Sequence, residues 1–220
     1  MEAIKRVLVW EWQVRAFHWA LVVLFATSWL TAEIGALDWH MRSGFAILAL
    51  VGFRLVWGLV GGDAARFANF IKSPRAAFAH LRGFRRIELD REPGHNAAGG
   101  WMVLVLLGAL CVQLGTGLFA NDDISSEGPL SHLVRRATWK TLTAVHGLNF
   151  NLLLALVVLH ICAVIGYRVI KKQDLLRPMI TGWKMLPPGI APSKPGSALL
   201  ALVIISLAGL GAWFLSQLGG

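Results

Sequence analysis

Charge is scarce in this chain. Only 15% of its 220 residues are Asp, Glu, Lys or Arg, while 56% are hydrophobic, and the mean hydropathy is +0.61. Ordinary soluble domains carry about 25% charge and about 45–50% apolar residues, so a water-soluble globule is excluded, and disorder, collagen and coiled coil go with it. Cysteine is scarcer still, with two copies, Cys111 and Cys162, each inside an apolar stretch. That excludes a disulfide framework, and without a Cys-x-x-Cys-His segment it also excludes covalent haem attachment; both thiols read as small core hydrophobes. Acids are outnumbered 12 to 21 by Lys and Arg, a net charge of +9. In a soluble protein that surplus would suggest nucleic acid. Here the cations fall between apolar runs, so membrane topology explains them and no nucleic-acid partner is expected.

A bilayer core about 30 Å thick needs roughly 20 apolar residues in a helix. Five runs qualify: Val14–Leu37, Phe45–Val60, Ala97–Phe119, Leu142–Ile170 and Ala198–Leu215. Backbone polar groups must be paired in lipid, so each is expected to be helical. The first run begins among Trp10, Glu11, Trp12 and Arg15, lacks a small-residue cleavage site and leads straight into a second run, which is unlike a cleaved signal. Residues 1–15, 61–94 and 168–195 hold three, seven and six of the 21 basic residues, whereas connections 38–44 and 120–141 hold only Arg42, Arg135, Arg136 and Lys140. The positive-inside rule then puts the N-terminus in the cytoplasm, and five spans leave the C-terminus outside. Segment 61–94, with Phe67, Phe70, Ile71, Phe78 and Leu81 among its arginines, reads as a helix on the inner membrane surface or, alternatively, as a solvated loop. The Pro187–Gly196 connector divides the chain into a region 1–185 and a region 186–220 holding a linker and a fifth span without ionisable residues.

Ionisable groups inside membrane spans are rare and point to function. His146 and His160 share span four. Fourteen residues make about 3.9 turns, so the two imidazoles face nearly the same side, about 21 Å apart along the axis. His40 stands at the outer entrance of span two, level with His146, and His18 lies near the inner end of span one, level with His160. Two pairs of imidazoles on facing helices are the arrangement that holds haem iron axially. Zinc would ask for three or four clustered ligands, and a proton relay for intramembrane carboxylates, yet Glu33 and Asp38 are the only acids near a span interior.

Each residue also has a plainer reading. A lone histidine near a helix end, such as His18 or His40, suits an interface; an unpartnered His160 between Leu152 and Ile165 would be costly. His80 and His132 read as surface residues. His95, in Pro93-Gly-His-Asn, fits a capping turn, a donor to a haem propionate, or the inner ligand in place of His18. Gly44, one turn after His40, together with Gly108, Gly115 and Gly117, leaves room for a porphyrin or for helix packing. Arg42, Arg54 and Arg168 lie where guanidinium groups pair with propionates; snorkelling also accounts for Arg54.

Taken in order, Arg15-x-x-His-Trp19, His40 with Gly44, Arg54-x-x-Trp-Gly58, Gly94-His-Asn-x-x-Gly-Gly100, Thr116-Gly117, and His146 with His160 resemble the bacterial cytochrome b561 and nickel-iron hydrogenase b-type cytochrome family over about residues 8–185. The resemblance implies a four-helix transmembrane bundle holding two non-covalent b-type haems, one ligated from helices one and four and the other from helices two and four. It implies electron passage between the quinone pool and a periplasmic redox partner such as a c-type cytochrome or hydrogenase. The expectation is therefore an all-α integral membrane protein, a haem-binding four-helix bundle with one extra C-terminal helix. His18 and His160 would hold the inner haem, His40 and His146 the outer one. An oligomer is compatible with this picture. Two rivals stand beside it: a self-contained oxidoreductase that reduces quinone from a small donor such as superoxide, drawn in by Arg42, Arg135, Arg136 and Lys140, and a haem-free anchor or transporter.

Overall fold

In a computed structural model, which describes residues 4–123 and 126–219, the chain is mostly helical. Strand β1 (Lys5–Leu8) leads into α1 (Trp12–Glu33) and α2 (Leu37–Val60). Two short helices, α3 (Phe67–Phe70) and α4 (Pro74–Arg82), precede α5 (Ala97–Gly117). After a single 3₁₀ turn at Ser131–Leu133 come α6 (Arg136–Val169), α7 (Leu176–Thr181), strand β2 (Trp183–Leu186) and α8 (Ala198–Ser216). Helices α1, α2, α5, α6 and α8 are the five long and apolar enough to cross a membrane.

The spans are those expected, with shifted ends. Helix α2 starts at Leu37 instead of Phe45, so His40 and Arg42 belong to its first turns and not to a connection. Helix α6 starts at Arg136 instead of Leu142. The turn between α1 and α2 shrinks to three residues because Gly35 adopts φ +72 and the Ala36 amide donates back to the Thr31 carbonyl at 2.8 Å. This is the left-handed closure that glycine permits without a Cβ penalty. Segment 61–94 is only partly helical. Helix α4 is capped by Ser73, whose hydroxyl accepts from the Ala76 amide, with Pro74 in the first turn. At the head of α5 the cap is Asn96, which accepts from the Gly99 amide at 2.8 Å; the neighbouring His95 is not the capping residue.

Packing divides the chain into two compact units. The first comprises the residues up to Phe17 with Leu55–Val105 and Val157–Ala201; the second comprises His18–Arg54, Leu106–Leu156 and the residues from Leu202 onward. In the first, β1 pairs antiparallel with β2, Lys5 opposite Leu186 and Leu8 opposite Trp183. Glu11 is 4% exposed. Its carboxylate accepts from the Trp57 indole and from the Gly196 amide, both at 2.6 Å. A buried carboxylate survives only when its lone pairs are so answered. Here the answer also fastens the Pro/Gly connector, whose Ser193 amide donates to the Leu8 carbonyl at 3.0 Å and whose Lys194 carbonyl accepts from the Asp63 amide at 3.0 Å. Trp57 and Leu186, both at 0% exposure, are the largest fully buried side chains there.

The second unit has its own core of Ile47, Val51, Ala109, Leu110 and Leu153, with Leu21, Leu24, Phe25, Leu114 and Leu156 packed against it. Lipid tails are as apolar as these side chains, so interdigitation, not exclusion of water, holds the helices together.

Candidate haem site

The second unit encloses a cavity of about 370 Å³, within the range that holds organic cofactors. Phe25, Ser28 and Trp29 of α1 line it, together with His40 and Gly44 of α2, Gln113 and Gly117 of α5, and His146, Gly147 and Phe150 of α6. Phe150 stacks on Phe25 at 6.2 Å and meets Trp29 at 6.0 Å between ring centres, giving one aromatic wall. The small residues do not close the space. A Cβ built on Gly44 or on Gly147 would meet nothing within 4 Å.

Across this space His40 and His146 lie with ring centres 6.3 Å apart and ring planes at 84°. A metal–imidazole bond of about 2 Å and about 1.1 Å from nitrogen to ring centre put two opposed axial rings about 6 Å apart, so the spacing suits one iron between them. The Nδ1 of His40 donates to the Ser28 carbonyl at 2.9 Å, and the Nδ1 of His146 donates to the Gln113 carbonyl at 2.9 Å. Such bonds fix the tautomer and leave Nε2 as the lone-pair nitrogen. The residues present therefore fit an axially ligated haem.

Gln113 adds a feature that the spacing of the histidines does not announce. Its side-chain amide donates to His146 Nε2 at 3.1 Å, and its carbonyl oxygen accepts from Asn149 at 2.8 Å. Asn149 also donates to the Ala109 carbonyl at 2.9 Å. Were His146 Nε2 to hold haem, it would give up the Gln113 amide and keep the Gln113 backbone carbonyl at Nδ1. The signal was available, since Asn149 lies three residues after His146, on the same helical face, and an amide in an apolar span is conspicuous. Thr116 belongs to the same shell, its hydroxyl 3.3 Å from His146 Nδ1. Gly117 is the tight spot, because a Cβ there would lie 2.9 Å from His146 Cε1.

Of the other expected residues, Arg42 is exposed and its guanidinium lies over the Trp39 ring at 5.4 Å. Arg54, in α2, is 3% exposed, which rules out snorkelling as its explanation. His18 is half-buried in α1, edge-on to Trp19 at 5.0 Å. His160 is half-buried in α6, the unbroken helix that also carries His146. His95, in the first unit, lies between Trp10 at 4.6 Å and Phe70 at 4.5 Å. His80, expected at the surface, is instead half-buried and 2.6 Å from the Tyr167 hydroxyl. Burial, and then the Lys171 ammonium, hold its imidazole below the ordinary value of 6.5, against the weaker pull of Glu92 and Glu88. Among the described residues no group of three or more His, Cys, Asp or Glu is arranged to hold a metal ion, so clustered ligation of the zinc type finds no seat there.

Apolar spanning helices and two anchored imidazoles facing across an apolar cavity define a class, the integral membrane cytochromes that hold haem without a covalent bond. The family model of the prokaryotic cytochrome b561 matches residues 9–182, and the chain belongs to that family. The match takes in α1, α2, α5 and α6 and stops before α8. The protein is thus a membrane-bound b-type cytochrome, and electron transfer through b-type haem is its activity. No curated protein and no solved structure matches it.

Proposed function

We propose that this cytochrome carries two haems and relays electrons across the bacterial inner membrane between the quinone pool and a periplasmic redox protein, a c-type cytochrome or a hydrogenase-like enzyme. The observation that carries the proposal is the His40–His146 pair, 6.3 Å apart with each Nδ1 anchored on a main-chain carbonyl. These would hold the outer haem. His18 and His160, matched in depth by their places in spans one and four, would hold the inner one, and the distribution of cations supports a cytoplasmic N-terminus. Bound haem supplies a one-electron couple. Two imidazoles per iron leave no open coordination position for oxygen or substrate, so the chain's own residues orient and insulate and do not make bonds. Ser28 and Gln113 fix the rings, and Phe25, Trp29 and Phe150, which line the cavity, would shield bound haem from water.

The rival reading, a self-contained oxidoreductase that draws in a small anion, loses support in the second unit. Asp123 pairs with Arg136 at 2.7 Å and with Lys140 at 3.6 Å, offsetting two of the four cations on which that reading rested. The test is spectroscopic. Reduced-minus-oxidised spectra should show sharp b-type bands, with pyridine haemochrome near two haems per chain. His146→Ala and His160→Ala should each remove one haem and leave the other. Retention of both haems at unchanged potentials in either variant would overturn the ligand assignment, and a count of one in the parent would overturn the relay. Proteins that copurify in mild detergent identify the partner.

A further inference from the structure

Helix α4 has two unlike sides. Ala77 is 8% exposed and His80 holds Tyr167, so this side is turned to the protein. Arg75 and Arg82, seven residues apart, fall within about 20° of each other on roughly the opposite side. With Arg86, just past the helix end, they border an open groove of about 650 Å³ over Ala79 and Gly83, with Phe78 as its apolar edge. No acidic residue lines it. Among the described residues none of the three arginines makes an ion pair. Phe78 and Leu81 are 67% and 55% exposed, and in this same unit the Trp101 indole donates to the Lys72 carbonyl at 3.0 Å, an aromatic of the kind found where helices leave the hydrocarbon core.

We propose that this groove seats the headgroup of an anionic glycerophospholipid, the phosphodiester held by Arg75, Arg82 and Arg86 and the acyl chains lying along Phe78 and Leu81. Guanidinium forks match phosphate oxygens, and basic amphipathic segments beside membrane helices recognise acidic lipids through this combination of charge and apolar surface. A free phosphate would use the arginines alone, and an acidic protein would leave the two large apolar side chains beside them without a role. The lipid uses both.

The test is a titration of the full haem-loaded chain, in neutral detergent, with dioctanoylphosphatidylglycerol, read as bound lipid by native mass spectrometry. Dioctanoylphosphatidylcholine, inorganic phosphate and polyglutamate are the comparison ligands. Phosphatidylglycerol should bind in preference to all three. Each arginine near a membrane surface contributes about a fivefold factor, so R82Q should weaken binding by about fivefold and R75Q/R82Q/R86Q on the order of 100-fold, while R135Q/R136Q leaves it unchanged. Glutamine keeps nearly the helix propensity of arginine, and an unchanged haem spectrum verifies that the variants are folded. Undiminished lipid binding by the triple variant overturns the proposal. Displacement by equimolar phosphate makes the groove an anion site only, and tighter binding of polyglutamate gives it to an acidic protein; either result also overturns it.

Discussion

Replacement of Gly117 by alanine is the sharpest probe of the His40–His146 site. The new Cβ would lie 2.9 Å from His146 Cε1 and 3.2 Å from its Nδ1, whereas non-bonded carbons rest about 3.5–4.0 Å apart. The ring must therefore retreat by roughly 0.5–1 Å, which stretches a 2.9 Å bond from Nδ1 to the Gln113 carbonyl beyond useful hydrogen-bond distance. Loss of that bond costs about 0.5–1.5 kcal/mol. Losing an outer partner of a metal-ligating histidine commonly lowers affinity about 10–100-fold, and that is the expected loss of haem affinity. The assay is transfer of haem to excess apomyoglobin, followed in Gly117→Ala and in Gly108→Ala, whose Cβ would meet nothing within 4 Å. One haem should leave faster from Gly117→Ala alone. Equal transfer from both variants would refute the crowding argument, and with it the placement of His146 as an anchored ligand.

Two further outcomes are expected. Glu11→Ala strands the Trp57 indole and the Gly196 amide, each costing about 1–3 kcal/mol when left unpaired in a buried place; for a chain of this size that lowers the melting temperature by about 5–15 °C, measurable by intrinsic fluorescence in detergent. Trp57→Phe removes only one of the two donors and should cost less; combined with Glu11→Ala it should add less than its separate cost. His80 binds its proton more weakly in the folded chain than in the unfolded one. Stability attributable to it is therefore fully present above about pH 6.5 and is lost as the pH falls from there through the depressed folded value. Melting temperatures recorded from pH 8 to pH 5 should fall less steeply in His80→Gln than in the parent, and parallel curves would remove His80 from the account.

The fold was legible in the sequence wherever hydrophobicity was continuous. All five spans could be placed because lipid demands an uninterrupted apolar run, and the ends were misplaced where polar residues entered a helix that nonetheless continues. Asp38, His40 and Arg42 hid the first two turns of α2; Arg136 and Lys140 hid the start of α6. Nothing in Lys5–Leu8 or Trp183–Leu186 announces a strand, because each is ordered by a partner some 180 residues away in the chain. The burial of Glu11 and of His80 was hidden for the same reason. Each is polar and lies close to charged neighbours, and only the distant Trp57, Gly196 and Tyr167 draw them inside. Of the candidate site, the nearness of the His40 and His146 imidazoles was legible from their matched depths. The groups that orient them were not, since a backbone carbonyl carries no residue signature.

That anonymity has an evolutionary consequence. Every amino acid offers the same main-chain oxygen, so the bonds to the Ser28 and Gln113 carbonyls outlast a change of side chain there, whereas the Ser28 hydroxyl 3.2 Å from His40 Nδ1, the Thr116 hydroxyl 3.3 Å from His146 Nδ1 and the missing Cβ of Gly117 depend on the residue. Exchange of Ser28 for alanine would keep the carbonyl bond to His40 and lose the hydroxyl contact. Drift at position 28 would thus show how much of the imidazole's tilt a main-chain oxygen holds by itself.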